Sequence, residues 1–224
     1  MNYQIGITVV FLIAILLLLI FNELVYRRFN LQGEITRKLA HFLATLSTIT
    51  FPFLPLTHWH VLVLAFIFFL LLFVSRNRKY LKSIHDINRI SVGSYMLPVA
   101  IYLTFLISQL LDDKFLFILP ILVLAICDPV AGILGLNMKE YNHKIRIFKF
   151  RLQKTWEGSF SFFVSCFVIS IIAIYFREMS FDLKTFWLAL LISLTGTIVE
   201  MISWKGTDNL FIPMSVLLVL ILAL

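Results

Sequence analysis

Apolar runs follow one another along this chain almost without pause, and few charged residues interrupt them. Phe11 to Phe21 is apolar at every position, with no alternation of apolar and polar residues. An apolar stretch of about 20 residues is long enough to cross the hydrocarbon of a bilayer as a helix. Of the 224 residues 61% are hydrophobic and 14% charged, too little polar surface to clothe a soluble fold of this size. A membrane β-barrel needs short segments alternating apolar and polar residues, which these runs do not offer. The fold class expected is therefore all-α, a polytopic transmembrane helix bundle forming one integral membrane domain over residues 1–224. About eight spans are expected, at 4–22, 39–57, 59–75, 92–111, 115–136, 158–176, 184–203 and 208–224, with seven as the lower count because the last segment is short.

Charge between the spans sets the orientation, since Lys and Arg accumulate on the cytoplasmic side. Sixteen of the 19 basic residues fall in the loops after spans one, three, five and seven. Lys114, Arg177 and Lys184 occupy the opposite loops. The amino terminus is thus expected outside, with the basic loops in the cytosol. The longest of these, about residues 137–157, is too short for a domain and too charged for a plain connection. The net charge of +7 is accounted for by this asymmetry, and no nucleic-acid partner is expected. Cys127 and Cys166 sit inside apolar runs, without metal-ligand spacing, and imply no disulfide framework. The first apolar run lacks a basic n-region and a cleavage site, so it is expected to be a retained helix.

Ionisable residues inside a membrane are costly and by default mark function. Asp128 lies late in span five, Glu157 opens span six, Glu200 ends span seven, and Asp208 and Asn209 follow. His41 opens span two, just after Arg37 and Lys38. Each falls at the cytoplasmic end of its span, although neither acids nor His entered the orientation argument. Acids, a histidine and a basic loop at one face suit phosphate chemistry. Carboxylates such as Asp128 with Asp208 or Glu200 can hold Mg²⁺, and Lys139, Lys144 and Lys154 can offset phosphate charge. Gly132 and Gly135 allow close backbone approach, and Pro129 interrupts the helix beside Asp128. The simpler alternatives are a buried Asp128–Lys pair, glycines that serve helix packing, and a basic loop that meets lipid headgroups.

Asp128-Pro-Val-Ala-Gly132-Ile-Leu-Gly135, a basic stretch, then Lys154-Thr155-Trp-Glu157-Gly158-Ser159 resembles the CTP-binding signature of the dolichol, polyprenol and phytol kinase family. Glu34-x-x-Arg37-Lys38-x-x-His41, Arg89 with Gly93-Ser94, and Glu200 followed by Asp208-Asn209-Leu-Phe-Ile-Pro213 resemble further elements of that family, in its order. The similarity spans about residues 34–213. It departs after Gly135, where Asn137-Met138-Lys139 replaces a second glycine. The resemblance implies transfer of the γ-phosphate of CTP to a polyprenol-, dolichol- or phytol-type alcohol or a diacylglycerol. It implies Mg²⁺ on Asp128 and Asp208, with Asn209 assisting. The triphosphate would meet Gly132, Gly135, Lys139 or Lys144, Lys154, Thr155 and Gly158. Glu157 or Glu200 would orient or deprotonate the lipid hydroxyl, and Arg37, Lys38 and His41 would line the site. The chain looks like a compact bacterial-type member, placing it in an inner membrane with its site facing the cytosol.

Two other functions fit the same chain. A phosphatidate cytidylyltransferase also joins CTP to a membrane lipid, but its His-Gly run near the carboxyl end has no counterpart in Lys205-Gly-Thr-Asp208-Asn209. A transporter or lipid carrier would gather polar groups near the midplane and often shows inverted repeats, whereas here they lie at one face.

Overall fold

The fold is given by a computed structural model that describes residues 2–31, 33–78, 80–86, 91–137, 144–147 and 150–223. For residues 2, 136, 137, 144, 146, 147 and 150–153 only the backbone is described. In chain order the elements are α1 (Asn2–Phe29), α2 (Gly33–Thr48), α3 (His58–Asn77), a short α4 (Lys82–His85), α5 (Gly93–Leu110) and α6 (Phe115–Asn137). A hairpin of β1 (Lys144–Ile147) and β2 (Phe150–Thr155) follows, then α7 (Trp156–Glu178), α8 (Leu183–Ile202) and α9 (Asp208–Ala223).

The helical membrane bundle expected from the sequence is what the structure shows. Among the described residues six helices, α1, α3, α5, α6, α7 and α8, are long and apolar enough to cross a bilayer. The other two candidates for spans, α2 and α9, have 16 residues each, about 24 Å at 1.5 Å per residue. The charged segment before α7, expected as a loop, contains the antiparallel β1–β2 hairpin, with Lys144 paired to Thr155 and Ile147 to Phe150.

The second span shifts most from its expected limits, from 39–57 to Gly33–Thr48. Hydropathy locates the apolar run but misses the polar first turns that belong to the helix. At the other end Pro52 enters a 3-10 turn at Phe51–Phe53, where its fixed φ and the restriction on its predecessor end the α-helix. The buried positions of α2 include Thr36, Lys38, His41, Thr45 and Thr48. Polar groups cannot face lipid unpaired, so this helix turns its polar stripe inward. Thr45 Oγ1 donates to the His41 carbonyl at 2.7 Å, and Thr48 Oγ1 to the Thr45 carbonyl at 2.7 Å.

Helix α6 forms the axis. Its span is 67% buried inside the protein, against 11% for α1, because α2, α5, α7 and α9 all pack around it. One core joins α6, α7, α8 and α9 through Leu124, Phe162, Ile192 and Ile212. A second lies under the 3-10 turn, where Phe51, Phe105 and Phe117 meet edge to face or stacked. A third ties α1 to α2, α3 and α4 through Ile15, Leu19, Ala40, Phe68 and Ile84.

The connections define two ends. At one, Gln109 accepts from the His58 amide and donates to the Leu56 carbonyl, and Arg177 pairs with Asp113 at 3.0 Å. At the other, Thr36 Oγ1 donates to the Ser83 carbonyl, and the Val92 amide to the Lys205 carbonyl. Helices α2, α5, α7 and α9 all start at this second end, the one that carries the basic loops. Four helix N-termini, each with partial positive charge, therefore face the same side.

Candidate functional site

Two lysine-centred clusters meet at the end where those helices begin. The first joins α2 to α6. Lys38 is on the inward face of α2, and its Nζ donates to Asp128 Oδ2 at 2.5 Å and approaches the Asp128 carbonyl at 3.3 Å. Both side chains are buried, at 9% and 3% exposure. His41, one turn further on, contacts the Leu124 carbonyl at 3.2 Å and lies 3.9 Å from Asp128 Oδ2. Pro129 follows the acid, and its missing N–H leaves the α6 ladder interrupted at this turn. Gly132 sits one turn beyond. A Cβ there would stand 2.8 Å from Lys38 Cε, so the absent side chain is what lets the lysine stem cross α6.

The second cluster joins β2 to α8 and α9. Lys154 Nζ lies 2.7 Å from Glu200 Oε1 and 2.9 Å from Asp208 Oδ2. Glu200 also accepts from Ser159 Oγ at 2.8 Å, so both its oxygens are engaged. Asp208 Oδ1 accepts from the Asn209 amide at 3.0 Å, and Asn209 Nδ2 donates to the Gly93 carbonyl at 2.8 Å. This last bond fixes α9 against α5. The preceding turn depends on Gly206, whose φ of +91° is open to glycine and strained for other residues. Burial alone would lower the Lys154 pKa. The carboxylates of Asp208, Glu200 and Asp128 outweigh it and hold the ammonium above the ordinary lysine range. That Asp128 acts on Lys154 places the two clusters in one electrostatic site.

Between them stands the start of α7. Thr155 is its N-cap, with Oγ1 accepting from the Gly158 amide at 3.2 Å. Gly135 and Gly158 face each other across this cap. A Cβ on either would come within about 3.1 Å of Thr155 Oγ1, and one on Gly158 within 3.0 Å of the Ala131 carbonyl. Glu157 lies in the first turn of α7, half-buried.

The structure thus brings together Lys38, His41, Asp128, Gly132, Gly135, Lys154, Thr155, Gly158, Glu200, Asp208 and Asn209. Arg37 points beside them: it pairs with Glu34 at 2.8 Å and lines an apolar cavity. Lys139 and Arg89 lie outside the described residues, and of Lys144 only the backbone, paired in β1, is described. Ser159 is a site residue that the sequence argument quoted without a role. Its bond to Glu200 depends on α7 packing against α8, which no local signal reports.

Among the described side chains the two clusters hold three carboxylates, Asp128, Glu200 and Asp208, against the ammonium groups of Lys38 and Lys154. No group of three or more His, Cys, Asp or Glu at metal-holding spacing occurs among the described residues. The donor set is nonetheless of hard oxygens, and Mg²⁺ takes only one or two protein carboxylates where phosphate and water complete its shell. Asp128 and Asp208 fit that requirement.

From this polar end a cavity of about 100 Å³ runs between α1, α2, α3 and α5. Arg37, His41, Ser94 and Asn209 line one end, and Leu64, Phe51 and Val61 line the other. Its wall is otherwise almost wholly apolar.

No curated protein and no solved structure matches the chain. A family model does, that of the cytidylyltransferase family, over residues 2–203. The match takes in both halves of the Asp128 to Ser159 signature and Glu200, and ends just before Asp208 and Asn209. Covering nearly the whole of a chain whose acids and lysines converge at one end of a membrane bundle, it shows that the protein belongs to the cytidylyltransferase family.

Proposed function

We propose that the protein is a CTP-dependent lipid-alcohol kinase, acting on an isoprenoid alcohol of polyprenol, dolichol or phytol type or on a diacylglycerol. The observation that carries this reading is the junction of the two lysine–carboxylate clusters with an apolar cavity at the same end of the bundle. A nucleotide can reach the first from water, and a lipid chain can occupy the second from the membrane. The closing Asp208-Asn209 pair, in place of a His-Gly run, favours transfer of a phosphoryl group over transfer of a cytidylyl group.

In this reading the triphosphate lies across the N-termini of α7 and α9, where N–H groups and dipoles favour an anion. Lys154 exchanges its carboxylate partners for phosphate oxygens, joined by Lys139 or Lys144, while Gly132, Gly135, Thr155 and Gly158 give the nucleotide room. Asp128 and Asp208, with Asn209, would hold Mg²⁺, which would supply positive charge to offset that of the phosphates. The lipid hydroxyl oxygen attacks the γ-phosphorus, the bond to the β-phosphate oxygen breaks, and CDP leaves. Glu200 or Glu157 receives the hydroxyl proton. Arg37, Lys38 and His41 border the place where the lipid head meets the nucleotide. The basic loops support a site that faces the cytosol, and the resemblance to compact bacterial-type members supports an inner membrane.

The family description favours a second reading, a phosphatidate cytidylyltransferase. Purified protein incubated with CTP, Mg²⁺ and a panel of lipids separates the two. CDP and a lipid monophosphate from an alcohol support the kinase; pyrophosphate and a CDP-lipid from phosphatidate overturn it.

A further inference from the structure

A groove runs between α6 and α7 at the end of the bundle away from the lysine–carboxylate clusters. Its volume is about 640 Å³. Ile118, Leu122 and Ile126 of α6 and Ile169, Ile172 and Phe176 of α7 form its walls. Ile172 and Phe176 are exposed, so the groove opens toward the membrane. Its lining runs along α6 from Phe115 to Ile126, about 16 Å at 1.5 Å per residue. The hydrocarbon of a bilayer is about 30 Å thick, so the groove is as deep as one leaflet.

Two cations stand at its mouth. Lys114 and Arg177 both line the groove, and no acid does. Lys114, Arg177 and Lys184 are the three basic residues in the loops at this end. That two of them share one groove is therefore not the product of a generally basic surface. The Arg177 guanidinium lies 4.8 Å from the centroid of the Phe115 ring and pairs with Asp113 at 3.0 Å, which fixes it in place. The Lys114 ammonium lies 5.0 Å from the centroid of the Phe53 ring. It pairs with no carboxylate among the described residues, although Asp112 and Asp113 precede it in the chain. An ammonium held over an aromatic face at a membrane boundary favours an anionic partner.

We infer that this groove binds an anionic phospholipid of the leaflet farther from the candidate site, the outer leaflet in the orientation expected from the basic loops. An acyl chain lies between α6 and α7, and the headgroup phosphate meets Lys114 Nζ, with Arg177 beside it. The phosphodiester oxygens accept the N–H bonds of the ammonium. A zwitterionic phospholipid presents the same phosphate but brings its own cation next to Lys114 and Arg177, so it binds more weakly. This lipid site does not depend on the reaction at the other end of the bundle.

The test uses the detergent-solubilised full chain and a phosphatidylglycerol that carries a photoreactive diazirine in its acyl chain. After irradiation, mass spectrometry reads adducts on the groove residues of α6 and α7. Leu191, Leu194 and Ile198, on an exposed face of α8, serve as the reference. Unlabelled dioleoylphosphatidylglycerol should suppress the groove adducts at about one-fifth the concentration needed with dioleoylphosphatidylcholine, the worth of one basic residue at a membrane surface. At the α8 face the two lipids should compete equally. Lys114→Gln, a change at an exposed position, should erase the preference at the groove. Lys184→Gln, outside the groove, should leave it intact. Ala173→Phe, which fills the groove, should remove most groove adducts and spare those on α8. Equal competition at the groove in the wild type overturns the inference, as does a preference that survives Lys114→Gln or also marks α8. A groove free of adducts overturns it too, and a dimer by light scattering would then assign that surface to a second copy of the chain.

Discussion

Lys154 supports two carboxylates, which makes the consequences of removing it unequal to those of removing either acid. Lys154→Met deletes the only ammonium within 2.9 Å of both Glu200 and Asp208 among the described residues. Their side chains are 3% and 11% exposed, so two charges would be left in a poorly solvated place. Breaking a buried pair from one side costs about 3–5 kcal/mol. For a chain of this length each kcal/mol moves the melting point by roughly 2–4 °C, so a fall on the order of 10 °C is expected. Glu200→Gln is milder. Lys154 keeps Asp208, and the amide oxygen still accepts from Ser159, so the loss is about 1–2 kcal/mol. The double variant retains one unpaired acid instead of two and should recover about 1–3 kcal/mol relative to the sum. Thermal melts of the four proteins in one detergent measure this cycle. Additivity within about 0.5 kcal/mol, or equal losses for both single variants, would refute the shared-ammonium geometry.

Asp128→Ala should abolish CTP-dependent turnover while the chain still inserts and purifies as the wild type does; normal turnover would remove Asp128 from the site. Gly132→Ala should displace Lys38, because the new Cβ would stand 2.8 Å from a stem carbon, and turnover should fall at least tenfold with melting changed by roughly 1–3 kcal/mol. The raised pKa of Lys154 means that its ammonium form, and the stability it gives, persist below the unfolded lysine value of about 10.4 and are lost only as pH climbs through the higher folded value. Amine-directed acetylation at about pH 8.5, followed by mass spectrometry, should therefore modify exposed Lys82 and Lys184 and spare Lys154. Equal labelling would contradict that shift. For orientation, Lys82→Cys should react with an impermeant maleimide only after cells are opened, and Asp112→Cys before. The native Cys127 and Cys166 are buried and should stay silent.

The membrane fold was legible because its determinants are local. Runs such as Phe11 to Phe21 identify helices by composition alone, and the ends of α5, α6 and α8 fall within a residue or two of the expected limits. Helix α2 was displaced because its first turns carry Glu34, Arg37 and Lys38, which hydropathy assigns to a loop, whereas in the fold Lys38 joins a buried stripe and Glu34 pairs with Arg37 beside it. The hairpin went unseen because Lys144–Ile147 and Phe150–Thr155 alternate over too few residues in a charged context. In the site, the identities of the acids and lysines were visible as costly residues in apolar surroundings, but their partners were not. That Lys38 takes Asp128 while Lys154 takes both Glu200 and Asp208 depends on how α2, α6, α8 and α9 cross.

Position-labelled CTP tests the central claim most directly. Purified protein with Mg²⁺ and a lipid alcohol should move radioactivity from γ-labelled CTP into the lipid fraction and leave α-label in CDP. Lipid that acquires the α-label, with the γ-label released as pyrophosphate, would contradict a phosphoryl-transfer site.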